Sequence, residues 1–428
     1  MQQDGLTIIQ DWSDYDESLV STNAENHYKD KGIELYSSHN GPAIPNEISN
    51  SYAHAFSLIK VLKEFLKTYK GTDPIQVLDA GCGSGIFARH FLIAAREEGI
   101  LNDIQLLLGD YSKTVLEDIQ EKQILKEFKE NKNYKLLELD LLNLENTKDI
   151  KGAPFKLEEL SLIVLNYVYD SLPMLVLRPS LDSPATYEKL QFKLLKDGVI
   201  ASIEDAWQSS PFYLDLGSLL IEDRWQAYEP SNALQKKYYE LLEPGKTNHM
   251  GQIFYNYASL AVTEELGKLL SKDGFIYATD IPHHESFKMS FQVYGNIVTH
   301  FINEPLITKL MHKLNYSSLI SQDALLIKMF YFKNQETLKH LDPVLKEFFI
   351  DTSLTDIYAD LRQCSLSIIS PHSKELQKMI LDKLLTLDSH SCLSHVARLN
   401  YYLKQGDQEK VNELIVKIRE LDYLRDYS

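Results

Sequence analysis

The sequence predicts an α/β fold, built on a doubly wound and mostly parallel sheet with helical segments at both ends of the chain. Short, strongly apolar runs alternate with helix-patterned segments between about residues 75 and 170, and such runs are typical of parallel strands buried on both faces. The stretch VLDAGCGSG, which begins at Val77, then places three glycines between one of these runs and a helix. We therefore expect a ligand-binding turn at the end of the first parallel strand.

The elements of this sheet can be assigned in order along the chain. A helix is predicted from Ser51 to Leu66, where apolar residues recur on one face until the turn YKGTDP. Strands are predicted at IQVLDA, IQLLLGD, YKLLELD and LSLIVLNYV, and the helices between them are expected to end near Gly99 and Phe128. The fifth parallel strand is either KDGVIASIEDAW or Phe275 to Ile281, and the second is favoured because a helix leads directly into it.

The two ends of the chain differ from this centre. Residues 1–70 are predicted to form an irregular polar segment and a helical lid, and residues 71–305 the ligand-binding domain, with a less regular insertion at about 180–260. From about residue 305 the pattern is wholly helical, so residues 306–428 are predicted to form an all-α domain. Its last part predicts a helical hairpin that resembles a single tetratricopeptide unit, or a plain helical cap.

Composition argues against several classes of protein. With 61 acidic and 44 basic side chains the formal net charge is -17, which disfavours nucleic acid as a partner and favours a basic one. The three cysteines lie far apart, so neither a disulfide framework nor a zinc site is expected. An acidic start and the lack of a long apolar run predict a cytoplasmic protein with no membrane contact.

The glycine loop indicates the kind of ligand. Gly81, Gly83 and Gly85 would let backbone amides and a helix N-terminus approach a bound molecule closely, because no Cβ intervenes. Their spacing differs by one residue from the dinucleotide fingerprint, which favours another adenosine ligand. Acidic residues end the first three strands, namely Asp79, Asp110 and Asp140. Such acceptors suit a molecule that carries a charged amino acid, a ribose and an adenine.

Each of these assignments has a structural alternative. The glycines could simply make a tight turn, Asp110 could cap the next helix, and Asp140 could be a solvated strand end. Cys82 is expected to fill space in the loop, because no base lies near it in the sequence. No metal site is expected at His283 and His284, because neighbouring residues of a strand point to opposite faces.

The ordered motifs VLDAGCGSG, LLLGDYS, LELDLLN and LNYVYDSLP resemble those of the class I S-adenosylmethionine-dependent methyltransferases, which have a Rossmann-like fold. Within this class the chain is most similar to the MidA-like family, whose mitochondrial members methylate arginine in a subunit of respiratory complex I. The likeness extends from about Tyr36 to about Leu310 and includes LYSSHNGPAIPNEIS, GFIYATDIP and YGNIVTHFIN. It implies S-adenosyl-L-methionine as the cofactor and methyl transfer as the reaction, with a protein arginine as the favoured acceptor.

The resemblance also implies roles for single residues at the cofactor. Asp110 would bind the ribose hydroxyls, Asp140 would lie beside the adenine, and Asp79 would meet the amino acid end. The implied cofactor-binding residues are Asp79, Ala80, Gly81, Cys82, Gly83, Gly85, Asp110, Tyr111, Asp140, Leu141, Asn166 and Tyr167.

For catalysis, the resemblance implies Asp170 and Glu47 as the carboxylates nearest to the acceptor. A guanidinium has no free lone pair until it loses a proton or a carboxylate localises its charge. Asn166 would orient the cofactor or the acceptor. Alternatively, Asp170 caps the helix that is expected to begin near Ser171.

Two positions depart from the family pattern. Tyr167 stands where the family has glutamate, and Asn46 stands where it has proline. Two other functions therefore remain open. One is a small-molecule O- or N-methyltransferase, in which aromatic residues between 205 and 260 would wall the acceptor. The other is a non-catalytic scaffold that keeps the cofactor pocket and acts through residues 310 to 428.

Overall fold

A large mixed sheet with helices on both faces forms the centre of the protein, as seen in a computed structural model. The structure describes residues 2–3, 6–19, 21–22, 32–33, 46–180, 182–183, 186–197, 220–243, 252–281, 291–294, 297–322, 326–351, 357, 374–390 and 392–421. The strands are β1 (Gln2–Gln3), β2 (Leu6–Asp14), β3 (Ile75–Ala80), β4 (Ile104–Asp110), β5 (Tyr134–Glu138), β6 (Lys148–Asp149), β7 (Leu160–Asn166), β8 (Leu175–Pro179), β9 (Tyr187–Asp197), β10 (Leu220–Ala227), β11 (Ile253–Tyr255), β12 (Leu270–Asp280), β13 (Phe291–Tyr294), β14 (Ile297–His300), β15 (Ser317–Gln322) and β16 (Ile327–Phe332). The helices are α1 (Asn46–Ser49), α2 (Tyr52–Leu66), α3 (Ile86–Glu97), α4 (Lys113–Glu121), α5 (Ala233–Tyr238), α6 (Tyr257–Leu269), α7 (Glu304–Lys313), α8 (Gln335–Leu345), α9 (Lys374–Leu387), α10 (Cys392–Gln405) and α11 (Gln408–Leu421).

The central sheet has eight strands in the order β15-β16-β12-β7-β3-β4-β5-β6. The pairs among β12, β7, β3, β4 and β5 are parallel, as the sequence predicts, and β12 is the favoured fifth strand. Strand β16 runs antiparallel between β12 and β15. Strands β4 and β5 follow β3 on one side of the sheet, whereas β7 lies on the other side of β3. Doubly wound sheets bind their ligands at the carboxyl ends of the two strands between which the strand order changes direction in this way.

Apolar side chains on both faces of this sheet explain why helices cover it. On one face, residues of α2, α3, α4 and α8 pack with alternate residues of the strands, such as Val77 and Val164. On the other face, α6 and α7 pack against the remaining set, such as Leu78 and Ile163. The parallel strands are therefore buried on both sides, which is why their sequences are apolar throughout rather than alternating.

Helix α2 begins where the sequence predicts. The Ser51 hydroxyl accepts a hydrogen bond from the His54 backbone N–H (3.2 Å), an N-cap that satisfies one of the free amides of the first turn. Its apolar face, with Leu58 and Leu62, is fully buried against the sheet. The helix is thus a core element, and its role as a lid stays a prediction.

Two expectations about the ends of the chain are wrong. The segment from residue 305 is not wholly helical, because β15 and β16 extend the central sheet. Residues before 50 are not all irregular, because β2 is a nine-residue strand. In addition, the helix after β4 ends at Glu121 and not near Phe128. The alternative strand KDGVIASIEDAW lies, beyond Asp197, outside the described residues.

The N-terminal strand belongs to a second sheet, of six strands, that the sequence did not predict. Strand β2 pairs antiparallel with β9, and β9 pairs in turn with β8 and β10 from the insertion. Asp14 accepts hydrogen bonds from Lys189 (2.5 Å) and Gln191 (2.7 Å) across this pairing. A separate apolar cluster that includes Ile9 and Phe192 packs beneath the sheet.

The helical hairpin predicted near the C-terminus is confirmed. Helices α10 and α11 are joined by a turn in which Gly406 has a φ of 72°. Whether the hairpin belongs to a repeat stays a prediction. Within the described residues, none of the helices combines the length and the apolar character that crossing a bilayer requires.

Candidate functional site

The glycine loop between β3 and α3 has the backbone shape that its sequence predicts. Gly81, Gly83 and Gly85 have φ values of 78°, 51° and 73°, which only glycine adopts without strain. However, their amides already donate within the protein. The N–H groups of Gly81 and Cys82 donate to the Gly109 carbonyl (2.7 and 3.0 Å). The Gly85 N–H donates to the Cys82 carbonyl (3.0 Å). The glycines therefore allow a ligand to come close to the backbone, but these amides are already used as donors.

Asp110 organises this loop. Its carboxylate accepts hydrogen bonds from the Gly83 N–H (3.0 Å) and from the Ser112 N–H (2.9 Å). Burial raises the pKa of Asp110 to about 6, although these hydrogen bonds oppose the shift. The cap of α4 is Ser112, whose hydroxyl accepts from the Val115 N–H, so Asp110 does not cap that helix.

Asp79, at the end of β3, is a buried carboxyl with an unused oxygen. Its side chain is 1% exposed, and Oδ2 has no hydrogen-bond partner in the described part of the chain. Burial, and secondly the charge of Asp110, raise its pKa to about 8. A buried carboxyl of this kind is destabilising unless a ligand supplies a donor or a cation.

The remaining predicted cofactor residues lie around the same loop. Asp140 is exposed, and its carboxylate accepts hydrogen bonds from the Leu142 N–H (2.9 Å) and the Asn143 amide (2.6 Å) of its own turn. Leu141 is half-buried and Tyr111 is exposed, while Ala80 is buried in the core. Asp140 is thus a solvated strand end in the free protein, and its place beside an adenine stays a prediction.

Cys82 is buried within the loop. Burial, followed by the charges of Asp110 and Asp79, raises the pKa of its thiol well above the usual value. A thiol that resists ionisation is a poor nucleophile, which agrees with the expected role of a small side chain that fills the loop.

The carboxyl end of β7 carries the second group of predicted residues, and its backbone is strained. Tyr167 has a φ of 52°, a left-handed conformation that a bulky side chain rarely adopts. Its N–H donates to the Thr279 carbonyl of β12 (2.9 Å), which holds the strained residue in place. Asp170 lies in the 3-10 turn Tyr169–Ser171 and is buried.

Asp170 faces a second buried carboxyl that the sequence analysis missed. Its backbone N–H donates to Oδ2 of Asp280 (3.2 Å), and Oδ1 of Asp280 accepts from the Ile281 N–H (2.7 Å). Burial raises the pKa of Asp170 to about 7, and burial together with the charge of Asp170 raises that of Asp280 well above its usual range. Two carboxyl groups in such a site share protons as a pair. Asp280 ends the predicted fifth strand, so the strand-end rule that identified Asp79 applies to it as well.

Two further ionisable side chains lie beside this carboxyl pair. The rings of Tyr15 and His300 are 5.9 Å apart and nearly perpendicular. Burial raises the pKa of Tyr15, and the charge of Asp170 adds to that shift. Burial lowers the pKa of His300 to about 3. Both side chains are thus neutral near pH 7, and neither offsets the charge of an ionised Asp170.

A row of polar side chains crosses the sheet below these groups. Asn166 lies opposite Thr279, which lies opposite Lys328. His54 of α2 covers the row, and its Nε2 is 3.3 Å from the Tyr277 hydroxyl. Burial, and then the charge of Lys328, lower the pKa of His54 to about 3, although a contact with Asn166 opposes the shift.

The structure brings most of the predicted site together at one edge of the sheet, with the exception of Glu47. Glu47 belongs to the short helix α1, but its side chain lies outside the described part of the chain. His283 and His284 also lie outside it. Among the residues that are described, no group of three or more His, Cys, Asp or Glu side chains could hold a metal ion.

Comparisons with known proteins rest on structure, because no protein-family model and no curated protein matches the sequence. A candidate methyltransferase from Burkholderia thailandensis, solved with bound S-adenosyl-homocysteine, aligns with a TM-score of 0.52 and 13% identity, over 88% of this chain and 84% of that chain. The fold is that of a class I methyltransferase. Another Burkholderia thailandensis protein of the same superfamily aligns with a TM-score of 0.48 and 12% identity, over 88% of this chain and 83% of that chain.

The class I methyltransferase fold gives the glycine loop its context. In that fold the loop after the first parallel strand and the carboxyl ends of its neighbours form one crevice, the place where doubly wound sheets bind ligands. Asp79, Asp110, Asn166 and Asp280 all lie at the ends of adjacent strands along this crevice. Phe254, Tyr255 and Tyr257, which belong to the aromatic residues between 205 and 260, are buried in the core.

Proposed function

We propose that the chain is an S-adenosylmethionine-dependent methyltransferase that methylates an arginine side chain of a protein, as the MidA-like resemblance suggests. The class I methyltransferase fold supports methyl transfer as the reaction. The observation that carries the proposal is the set of buried carboxyls at or just beyond the ends of β3, β4, β7 and β12, of which Asp79 has one oxygen without a hydrogen-bond partner among the described residues. The net charge of -17 favours a basic protein segment as the acceptor.

The residues of the crevice fit an S-adenosyl cofactor. A Cβ at Gly81 would lie 2.8 Å from Val168 and one at Gly85 would lie 3.1 Å from Ile119, so both positions are too crowded for a larger residue without a shift of the neighbouring side chain. Asp79 has a buried oxygen that an ammonium could satisfy. Asp110 holds the loop and could accept hydrogen bonds from ribose hydroxyls.

The bound cofactor would supply a sulfonium methyl group that is already activated for transfer. What the protein has to provide is an acceptor nitrogen held in line with that methyl group, a positioning effect. If the acceptor is a guanidinium, the protein also has to localise the positive charge on the nitrogens that do not receive the methyl group. The carboxyl pair of Asp170 and Asp280 suits this task, because an ionised Asp170 attracts the guanidinium and can accept its proton.

The proposal is tested with the purified full-length chain, radiolabelled S-adenosylmethionine and a cell lysate. We expect label in protein that yields methylarginine after acid hydrolysis, and we expect Asp170→Asn to reduce the label at least about 100-fold. Label found only in the small-molecule fraction would contradict a protein acceptor.

A second candidate function, a non-catalytic scaffold, is favoured by one observation. Tyr167 replaces the glutamate of the family pattern and is held in a strained conformation at the end of β7. Calorimetry with S-adenosyl-homocysteine separates the two functions in part. A chain that binds this product tightly but transfers no label to any fraction would be a scaffold, and a chain that does not bind it is not a methyltransferase.

A further inference from the structure

His300 lies at the end of a two-stranded ribbon that packs against the turn after β7. It is the last residue of β14, and its backbone pairs with Phe291 of β13. Strand β14 contacts the turn Tyr169–Ser171, which carries Asp170. The His300 side chain is 4% exposed. The ribbon therefore brings a buried imidazole to the carboxyl that we assign to the acceptor.

The chain directly after His300 is fixed by hydrogen bonds to two other elements. The Ile302 N–H donates to the Ile281 carbonyl, just beyond β12 (3.3 Å). The side-chain amide of Asn303 donates to the Phe254 carbonyl of β11 (3.0 Å). The imidazole is thus held in position before any acceptor binds, as a binding group has to be.

One nitrogen of the His300 ring is used by the turn itself. The ring forms hydrogen bonds with the backbone at Leu172 and Tyr169, two positions that flank Asp170. These contacts favour the protonated ring, as contacts with carbonyl oxygens do, so the nitrogen that faces them carries a hydrogen. On its other side the turn is held by Asp280, which accepts from the Asp170 N–H (3.2 Å).

The other ring nitrogen is unused. Nε2 of His300 is buried and has no hydrogen-bond partner among the residues that the structure describes. We therefore assign the hydrogen of the neutral ring to Nδ1 and the lone pair to Nε2, where it is directed away from the carbonyls of the turn. A buried acceptor without a donor is destabilising, so this nitrogen indicates a ligand that brings an N–H group.

Burial keeps Nε2 available near pH 7, because it lowers the pKa of His300 to about 3. The ring of Tyr15 lies 5.9 Å away, and burial raises its pKa, so it is neutral as well. The ionisable groups of the turn are Asp170 and Asp280, and burial raises the pKa of both, to about 7 for Asp170. The site thus combines a neutral acceptor with a carboxyl that ionises near neutral pH.

A guanidinium is a cation whose needs this combination meets. It carries several N–H donors in one plane, and each donor that is buried needs an acceptor. One ionised carboxylate balances the charge and accepts a pair of these donors. A second ionised carboxylate would be repelled by the first, whereas a neutral imidazole adds an acceptor without adding charge.

We propose that Nε2 of His300 accepts a hydrogen bond from the acceptor guanidinium and so fixes its orientation at Asp170. This inference rests on the proposed function, since it assigns a further residue to the same acceptor. No proton moves to His300. The guanidinium keeps the hydrogen that it donates to Nε2, and the proton that leaves the methylated nitrogen goes to Asp170.

Two replacements separate this role from that of holding the turn. The side-chain amide nitrogen of asparagine can occupy the place of Nδ1, and the amide oxygen of glutamine can occupy that of Nε2. His300→Asn therefore keeps a donor for the turn and removes the acceptor, whereas His300→Gln supplies an acceptor. We expect His300→Asn to reduce the labelling of arginine in lysate protein about tenfold or more, and His300→Gln to reduce it less than about threefold.

Binding of S-adenosyl-homocysteine controls for damage to the fold. In this assignment His300 contacts the acceptor and not the cofactor, so calorimetry should give both variants the affinity of the wild type. The matched control for the labelling assay is His312→Asn, because His312 is exposed on α7 and its Nε2 contacts the Ser318 hydroxyl (2.8 Å). That variant should label protein like the wild type.

NMR of the full chain with isotope-labelled histidine tests the imidazole directly. The signals of His300 are those missing from the spectrum of either variant. We expect a neutral ring with its hydrogen on Nδ1 in the free protein near pH 7. Addition of S-adenosyl-homocysteine and acetylarginine amide should then shift the Nε2 signal, because a new hydrogen bond forms there.

The possible outcomes are distinguishable. If the wild type labels arginine and His300→Asn does so equally well, or His300→Gln is impaired as strongly as His300→Asn, the role of Nε2 is wrong while the proposed function stands. A hydrogen on Nε2 in the free protein, or no shift of its signal with acetylarginine amide, also overturns the inference, even if His300→Asn does not fold. If the wild type yields no methylarginine, the proposed function fails and the inference with it.

Discussion

Buried carboxyls are the main feature of this protein at the scale of single residues. Asp79, Asp110, Asp170 and Asp280 are buried at the carboxyl ends of neighbouring strands, and burial is the largest cause of the raised pKa in each. A carboxyl with a raised pKa makes the fold less stable at neutral pH than at acid pH. Such groups persist in a protein when a ligand or a reaction needs them.

Asp79 leads to a prediction about stability and pH. Its pKa is 3.8 in the reference state and about 8 in the fold, so its contribution to the free energy of unfolding is present at low pH and is lost as the pH rises from 4 through 8. We expect Asp79→Asn to be more stable than the wild type at pH 8, by about 1 to 3 kcal/mol, with a smaller difference at pH 5. Urea unfolding at the two pH values measures this. The exposed Asp140 provides the control variant Asp140→Asn, and an equal difference at both pH values for Asp79→Asn would contradict the prediction.

Asp170 leads to a prediction about the rate of methyl transfer. If its ionised form binds and deprotonates the acceptor, kcat/KM rises from pH 6 to pH 8 with a midpoint near the pKa of about 7. Tyr15 and His300 do not titrate in this range, because burial raises the pKa of the first and lowers that of the second to about 3. A pH profile that stays flat from 6 to 8 in the wild type would exclude this role for Asp170.

At the scale of elements, the glycine loop and the turn after β7 are held against each other. A Cβ added to Gly81 would lie 2.8 Å from Cγ2 of Val168, and Gly81 has a φ of 78°. Gly99 has nearly the same φ, 77°, but no atom lies within 4 Å of an added Cβ. The two glycines therefore separate backbone strain from steric contact.

We expect Gly81→Ala to destabilise the protein more than Gly99→Ala does. The left-handed backbone destabilises both variants by about 1 kcal/mol. In Gly81→Ala the added methyl group also displaces the turn that carries Asp170. Thermal unfolding with and without S-adenosyl-homocysteine measures both effects. Only Gly81→Ala should lose affinity for the ligand, and equal behaviour of the two variants would show that the loop does not depend on Val168.

Comparison of the elements shows what the sequence could predict. The parallel strands and the glycine loop were predictable, because strands buried on both faces are apolar throughout and the loop needs glycine at fixed positions. Strands β15 and β16 could not be predicted, because a short apolar run such as Ile327–Phe332 is compatible with either a helix or a strand. Strand β2 was missed because its partner β9 is far away in the sequence.

Residues of the candidate site could be predicted only where the sequence directly around them forms a recognisable pattern. Asp79 and Asp110 end apolar runs, and the glycines lie between them. In contrast, the pairing of Asp170 with Asp280 joins residues that are 110 positions apart. The place of His54 above Asn166 depends on how α2 packs on the sheet, and no local pattern records that packing.

At the scale of the whole molecule, the C-terminal helices are tied to the start of α2. The buried Asp388 accepts a hydrogen bond from the Tyr52 N–H (2.8 Å), and Leu384 packs against Ala53. His90 of α3 adds a contact to the His390 carbonyl (3.2 Å). Since α3 begins at the glycine loop, the C-terminal helices and the candidate cofactor site share a packed support.

Removal of the Asp388 carboxylate tests this attachment. We expect Asp388→Ala to lower the free energy of unfolding by about 1 to 2 kcal/mol, because it leaves the Tyr52 amide without its acceptor. The control is Asp382→Ala, because the Asp382 carboxylate forms a partly exposed ion pair with Arg398 (3.1 Å), and loss of such a pair should lower the free energy of unfolding by less than about 0.5 kcal/mol. Urea unfolding compares the two, and equal losses would contradict an anchoring role for Asp388.

The pairing of β2 with β9 has a consequence for how the protein is made. In that pairing Leu6 lies opposite Asp197, so during synthesis β2 must wait for a partner strand that is made much later. During that interval an apolar strand edge stays open, and such edges associate with other chains. Nascent chains that stop short of Asp197 should therefore be bound by chaperones or aggregate, whereas chains that extend past it can bury the edge.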